Sequence, residues 1–129
     1  MSWREILSLK GTNLWHIANS VGWNILWTSA SLLITSYTLE RVPEAAAIFQ
    51  NGLMVSVFLG SLTAGFVLGK LADDGRGMTY GVIGSLGSVA LALFIVLPSG
   101  GILGLMLAII AIAGGLNGGL LSLRKSSPK

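Results

Sequence analysis

Polar positions along this chain come in short knots separated by very long apolar runs, without the regular wet face of a surface helix. Residues 11–39, 45–69 and 77–123 contain no Asp, Glu, Lys or Arg. A helix needs about 20 mostly apolar residues to cross about 30 Å of hydrocarbon, so each of the first two runs predicts one spanning helix. The third, 47 residues long, would extend roughly 70 Å as one helix, too far for one crossing. Pro98-Ser99-Gly100-Gly101 lies near its middle and predicts a break. The pattern therefore predicts an all-α, polytopic membrane protein forming a single domain. Its four spans fall at about 14–36, 46–70, 78–97 and 102–123, paired as two hairpins. Residues 1–11 form an interfacial segment, in which SWREILSLK (2–10) reads as a short helix, and 124–129 form a tail.

Composition agrees with lipid as the solvent. Of 129 residues, 53% are hydrophobic and 10% charged, with a mean hydropathy of +0.79, whereas soluble domains carry roughly 25% charged residues. Cysteine is absent, which excludes disulfides and thiolate chemistry. The first apolar segment is too long and too polar for a signal peptide and shows no clear cleavage site, so it reads as a span that stays. With four spans, Arg4, Lys10, Lys70, Arg76, Arg124, Lys125 and Lys129 share one side and Arg41 takes the other. That bias orients both termini to the cytoplasm, in a bacterial-type inner membrane or a photosynthetic or energy-transducing one. The net charge of +3 follows from topology and implies no nucleic-acid partner.

The segment GSLTAGFVLGKLADDGRGMTYG (60–81) joins a glycine-spaced apolar run to four charges. Lys70, Asp73, Asp74 and Arg76 are expected in the cytoplasmic turn between spans 2 and 3, with Asp73 or Asp74 capping the next helix. Sixteen of the eighteen glycines follow residue 51. Small residues recur at four-residue intervals: Gly52, Ser56 and Gly60, then Ser61, Gly65 and Gly69, in span 2. Gly77, Gly81 and Ser85, with Gly84 and Ser88, repeat the spacing in span 3, and Ala111, Gly115 and Gly119 do so in span 4. Such stripes let helix backbones approach closely in lipid. GSLTAGFVLGKL (60–71) also aligns with GGLNGGLLSLRK (114–125); a duplicated hairpin would relate the halves by an axis along the membrane normal.

Span 1 differs. His16, Ser20, Trp23, Asn24, Trp27 and Ser31 share one face, and Asn19 adds polarity near its start. Polar groups in hydrocarbon need partners, and two readings stay open. The stripe either hydrogen-bonds to neighbouring helices, with the tryptophans filling gaps beside glycine, or it binds a lipid headgroup, quinone, pigment or solute. In the second reading His16 becomes a ligand or proton carrier. No cofactor is expected otherwise. The paired carboxylates Asp73 and Asp74 sit in a turn, and the single histidine has no acidic neighbour in its span. No catalytic or metal constellation follows, and the chain is not expected to be an enzyme.

GKLAD (69–73) resembles the start of the loop between helices 2 and 3 of major facilitator transporters, with Gly69, Leu71, Ala72 and Asp73 matching. Asp74 stands where a basic residue is usual, and those transporters have about a dozen helices. The layout as a whole is similar to small, uncharacterised four-span bacterial membrane proteins, on the strength of residues 57–87 and AGGLNGGLL (113–121). That resemblance implies a topology and no established activity. Small multidrug exporters share the size, but their essential acidic residue in helix 1 has no counterpart here. The sequence thus points to a non-catalytic component that packs into a larger membrane complex or self-associates among lipids. The alternative is a minimal oligomeric transporter or channel with span 1 lining the path.

Overall fold

The computed structural model describes residues 3–8, 12–72 and 75–123, and all their regular structure is helical. A short α1 (Trp3–Leu7) precedes α2 (Leu14–Arg41). A 3-10 turn over Pro43–Ala45 leads into α3 (Ala46–Ala72). Next come α4 (Gly77–Leu91), a π-helical turn over Ala92–Val96, α5 (Leu97–Gly100) and α6 (Ile102–Leu123).

Local chemistry explains the ends. The Asn13 side chain accepts the Trp15 N–H at 2.9 Å and caps α2. Pro43, lacking an N–H, opens the next turn, where none is needed. Arg41 stacks over the Tyr37 ring at 4.4 Å. Gly75 (φ 75°) and Gly101 (φ 59°) hold left-handed backbone at the two later reversals. Pro98 cannot donate to the carbonyl four residues back, and the turn before it widens so that Leu97 N–H reaches Ala92 O. Arg76, with no side-chain cap bond, precedes α4. The expected caps Asp73 and Asp74 lie outside the described residues, as does the 124–129 tail.

Helices α3 and α4 touch each other, α6 packs along both, and α2 packs along both from elsewhere; α2 and α6 do not meet. Helices α2 and α4 run parallel, since Ser20 meets Gly84 and Thr28 meets Ser88. So do α3 and α6, where Gly114 lies on Phe58 and Gly69 on Ser122. An axis exchanging two hairpins would place α2 opposite α4 and α3 opposite α6. Instead these pairs are neighbours, and the opposite corners are α3/α4 and α2/α6. The expected duplication axis along the membrane normal is therefore not how the bundle is built.

The interior has two zones. Leu53, Val57, Ala92, Val96, Leu107 and Ala108 form an aliphatic core near the α2–α3 and α5–α6 turns. The other half is packed by glycine, serine and asparagine. Large apolar side chains face outward on every long helix, among them Leu33, Val67, Phe94 and Ile109. Three stretches are long and apolar enough to cross a membrane: Pro43–Ala72, Gly77–Val96 and Ile102–Leu123. The chain is thus a helical, membrane-type protein. Helix α2, at 28 residues, has the length, but its polar residues lower its average.

Candidate functional site

The small-residue stripes divide by neighbour. Gly81 of α4 and Gly115 of α6 lie face to face, and a Cβ on either would overlap the other's carbonyl oxygen. One turn away, a Cβ on Gly119 would come within 2.5 Å of Gly77 O and Met78 Cα. Gly65 of α3 completes this seam, its Cβ position 2.8 Å from Gly115 O and 2.9 Å from Gly119 N. Gly69 and Gly77 both make room for Ser122, whose hydroxyl donates to Gly119 O at 2.6 Å. Ser85 and Ala111 are buried along the same seam.

A second set faces α2. Gly84 receives Ser20, Gly87 lies against Val21 and Ile25, and Gly60 lies under the Trp27 ring. Gly52, expected in this set, is a correction: it is exposed, with nothing within 4 Å of its Cβ position, because α2 and α3 diverge there and leave a groove between them. Close contacts absent from the sequence reading are Gly87, Gly104, Gly114 and Gly118. Gly114 and Gly118 press on Phe58 O and Leu62 O. The same four-residue rule, applied to that second row of α6, would have found them.

Polar residues of α2 meet this interior. Ser20, Asn24 and Thr28 are 0%, 1% and 2% exposed and lie one turn apart. Ser20 donates to Tyr80 O at 2.8 Å. Asn24 Oδ1 accepts from Ser61 at 2.7 Å and Ser88 at 3.0 Å, tying together α2, α3 and α4. Its amide donates to Ser20 O at 2.9 Å, and the Thr28 and Ser88 hydroxyls share a bond of 2.6 Å. Trp23 and Trp27 lie 5.5 Å apart and donate to α3 carbonyls, Gly60 O at 3.2 Å and Ser56 O at 2.8 Å. Ser31 bonds to the Ser56 hydroxyl at 2.7 Å.

The first turns of α2 behave differently. Asn19 is exposed and bonds only to Trp15 O, at 2.9 Å. His16 sits edge-on to the buried Tyr80 ring at 6.0 Å, and Tyr80 in turn accepts the Asn13 N–H at 2.7 Å. His16 Nδ1 is buried without a partner. These residues border a half-open groove of about 390 Å³, walled by Trp15, His16, Asn19 and Trp23 of α2 and by the Thr63–Leu71 stretch of α3. A second groove, of about 370 Å³, opens between the far halves of the same helices, beside Thr35 and Gly52. The Trp23–Trp27 pair packs against α3 between the two. The expected stripe is thus split: Ser20, Asn24 and Trp27 are absorbed by packing, Ser31 bonds to Ser56 at the edge of the second groove, and His16, Asn19 and part of Trp23 border the first.

Lys70 lies 5.9 Å over the Phe66 ring, and Arg76 reaches across to donate to Ser8 O at 2.5 Å, holding α1 against α4. Among the described residues, no three His, Asp or Glu side chains come together as metal ligands would. No family model, curated protein or solved structure matches the chain.

Proposed function

We propose that this chain is a non-catalytic integral membrane component that crosses the bilayer four times, with both termini on the cytoplasmic side, and assembles with other membrane helices. The observation carrying this reading is the inside-out polarity of α2. Ser20, Asn24 and Thr28 point inward and are hydrogen-bonded, while Leu26, Leu33 and Ile34 on the outside are 66–72% exposed. In water that arrangement is unfavourable; in lipid it is what a span requires. Average hydropathy understates such a helix.

Assembly is supported by α6. Its outward face is apolar except for exposed Asn117, whose amide donates to Ala113 O at 2.7 Å and whose carbonyl oxygen is unclaimed. A polar side chain facing lipid is best satisfied by another helix. The glycine stripes, in contrast, are largely consumed inside the bundle. The transport alternative gains less support, because Ser20 and Asn24 are sealed by their own hydrogen bonds and line no opening.

The chain has no native cysteine, so single cysteines report topology cleanly. In intact vesicles, Ser2→Cys and Glu44→Cys should react with an impermeant maleimide from opposite faces, and Ser126→Cys should match Ser2→Cys. Reaction of Ser2→Cys and Glu44→Cys from the same face would show that α2 does not cross. Native mass measurement in mild detergent tests assembly. Asn117→Leu should release the partner or second copy while leaving the melting temperature of the isolated chain unchanged.

A further inference from the structure

The groove between the start of α2 and the end of α3 has its unused hydrogen-bond donors toward one end, at Trp15, His16 and Asn19. His16 Nδ1 is buried and makes no bond. The tautomer protonated on Nε2 leaves a bare acceptor rather than an N–H at that buried atom and presents one N–H donor. The imidazole makes no hydrogen bond among the described residues, nor does the indole N–H of Trp15, which is 71% exposed. Trp15 and His16, adjacent in sequence and both lining the groove, therefore each bring an unused donor to it. Beyond them the groove runs over Ala64, Val67 and Leu68 toward Trp23. Eight residues separate Trp15 from Trp23 and Thr63 from Leu71, a run of roughly 12 Å along each helix. No side chain lining it carries a formal charge when His16 is neutral.

We propose that this groove is a binding site for one membrane phospholipid, with its phosphate accepting from Trp15 and His16 and one acyl chain lying along Ala64, Val67 and Leu68. The site needs an occupant with acceptors at one end and hydrocarbon along the rest. A phospholipid supplies both in that order. The rim also lies where such a headgroup would be. Trp15 is one residue into α2, and Leu71 is one residue from the end of α3. Indole rings favour that depth, and the exposed, basic Lys70 lies beside Leu71. A quinone also carries carbonyl acceptors, but they lie on opposite edges of its ring, whereas one phosphate presents several acceptor oxygens at one end. The site rests on the four-span reading only for placing this rim at headgroup depth.

The test is native mass measurement of the full chain in mild detergent with three probes: dioleoyl phosphatidylglycerol, the matching diacylglycerol without phosphate, and glycerol phosphate without chains. One phosphatidylglycerol should be retained per chain. Diacylglycerol should bind about tenfold more weakly, since two hydrogen bonds are lost, and glycerol phosphate should not bind. Val67 is 42% exposed on the groove wall, so Val67→Trp fills the groove from its open side. It should cut lipid retention about tenfold or more while melting is unchanged. His16→Phe keeps ring size without a donor and should weaken phosphatidylglycerol, but not diacylglycerol, about threefold. Equal retention by a folded Val67→Trp chain would overturn the site, as would equal binding of diacylglycerol and phospholipid. Displacement of the phospholipid by a short-chain benzoquinone would identify a different ligand class and also overturn it. The cysteine labelling of Ser2 and Glu44 reads the span independently. Lost lipid selectivity with correct labelling therefore fails this site alone, whereas wrong labelling with selectivity intact fails the topology.

Discussion

Two glycine-to-alanine changes should move stability in opposite directions, and the sign follows from what each new methyl group meets. Within a helix, alanine is intrinsically better than glycine by about 0.8–1 kcal/mol. At Gly52 nothing lies within 4 Å of the Cβ position, so Gly52→Ala should realise most of that gain. At Gly81 the methyl would overlap Gly115 O and approach Gly115 Cα at 3.3 Å. Those are main-chain atoms, and no rotamer change removes them. Helices α4 and α6 must separate, which also loosens Gly65 and Gly119 in the same seam. Overpacking of this kind costs about 1–3 kcal/mol, and a rigid backbone obstacle argues for the upper end. The net loss for Gly81→Ala is then about 2 kcal/mol after the propensity gain, roughly 3 kcal/mol below Gly52→Ala. The assay is reversible unfolding in mixed micelles, titrating a denaturing detergent against a mild one and following helix content. If Gly81→Ala proves as stable as Gly52→Ala, close backbone contact is not what holds α4 to α6.

Other perturbations address separate parts of the fold. Asn24→Leu removes the shared acceptor of Ser61 and Ser88 and should cost about 1–2 kcal/mol in the same titration, with Ser61→Ala costing less because Asn24 keeps its bond to Ser88. Gly60→Ala would drive a methyl into the Trp27 ring; the ring can move, so stability should fall by no more than about 1 kcal/mol while the near-UV circular dichroism of the Trp23–Trp27 pair changes. Arg76→Met removes the bond to Ser8 O and should leave bundle melting unchanged while speeding proteolysis at Arg4 about tenfold, in line with the worth of a charge-assisted bond.

Much of this architecture was readable because lipid solvation leaves long signatures. The uncharged windows marked the helices, and Pro98 with Gly101 marked the later reversal that the structure forms. Boundaries shifted where caps prevailed over hydropathy: α2 continues to Arg41, held by the stacking of Arg41 on Tyr37 and ended by Pro43. The stripes gave the right spacing and too little direction. Ser56 and Gly60 serve α2, Gly65 and Gly69 serve α4 and α6, and Ser61 serves both sides through Asn24 and Gly114, a division that depends on which helix lies on which side. Gly52 obeys the same spacing as Gly60 and touches nothing, since the two helices diverge at that depth. Only the α2 wall of the groove at His16 was readable, as part of the polar stripe with Asn19 and Trp23. Its α3 wall, Thr63 to Leu71, lies far from α2 in sequence and carries no motif.

On the proposed four-span reading, helix α2 shows why an average over a window misjudges such a protein. Hydropathy counts Asn24 and Leu26 on one scale although one is sealed among hydroxyls and the other is 72% exposed. For a helix in water the interior sets the sign of burial, and polar residues inside count against it. For a helix in lipid the exterior is the demanding surface, and interior polarity is tolerated wherever hydrogen bonds close on themselves. The Ser20–Asn24–Thr28 row meets that condition through Tyr80, Ser61 and Ser88. It also sets the register of α2 against α3 and α4, because sliding by one residue would strand every one of these groups. The polar residues that lower the hydropathy of α2 are thus the ones that fix its place in the bundle. A variant replacing all three with apolar residues should read as a better span in sequence and assemble less specifically in membranes.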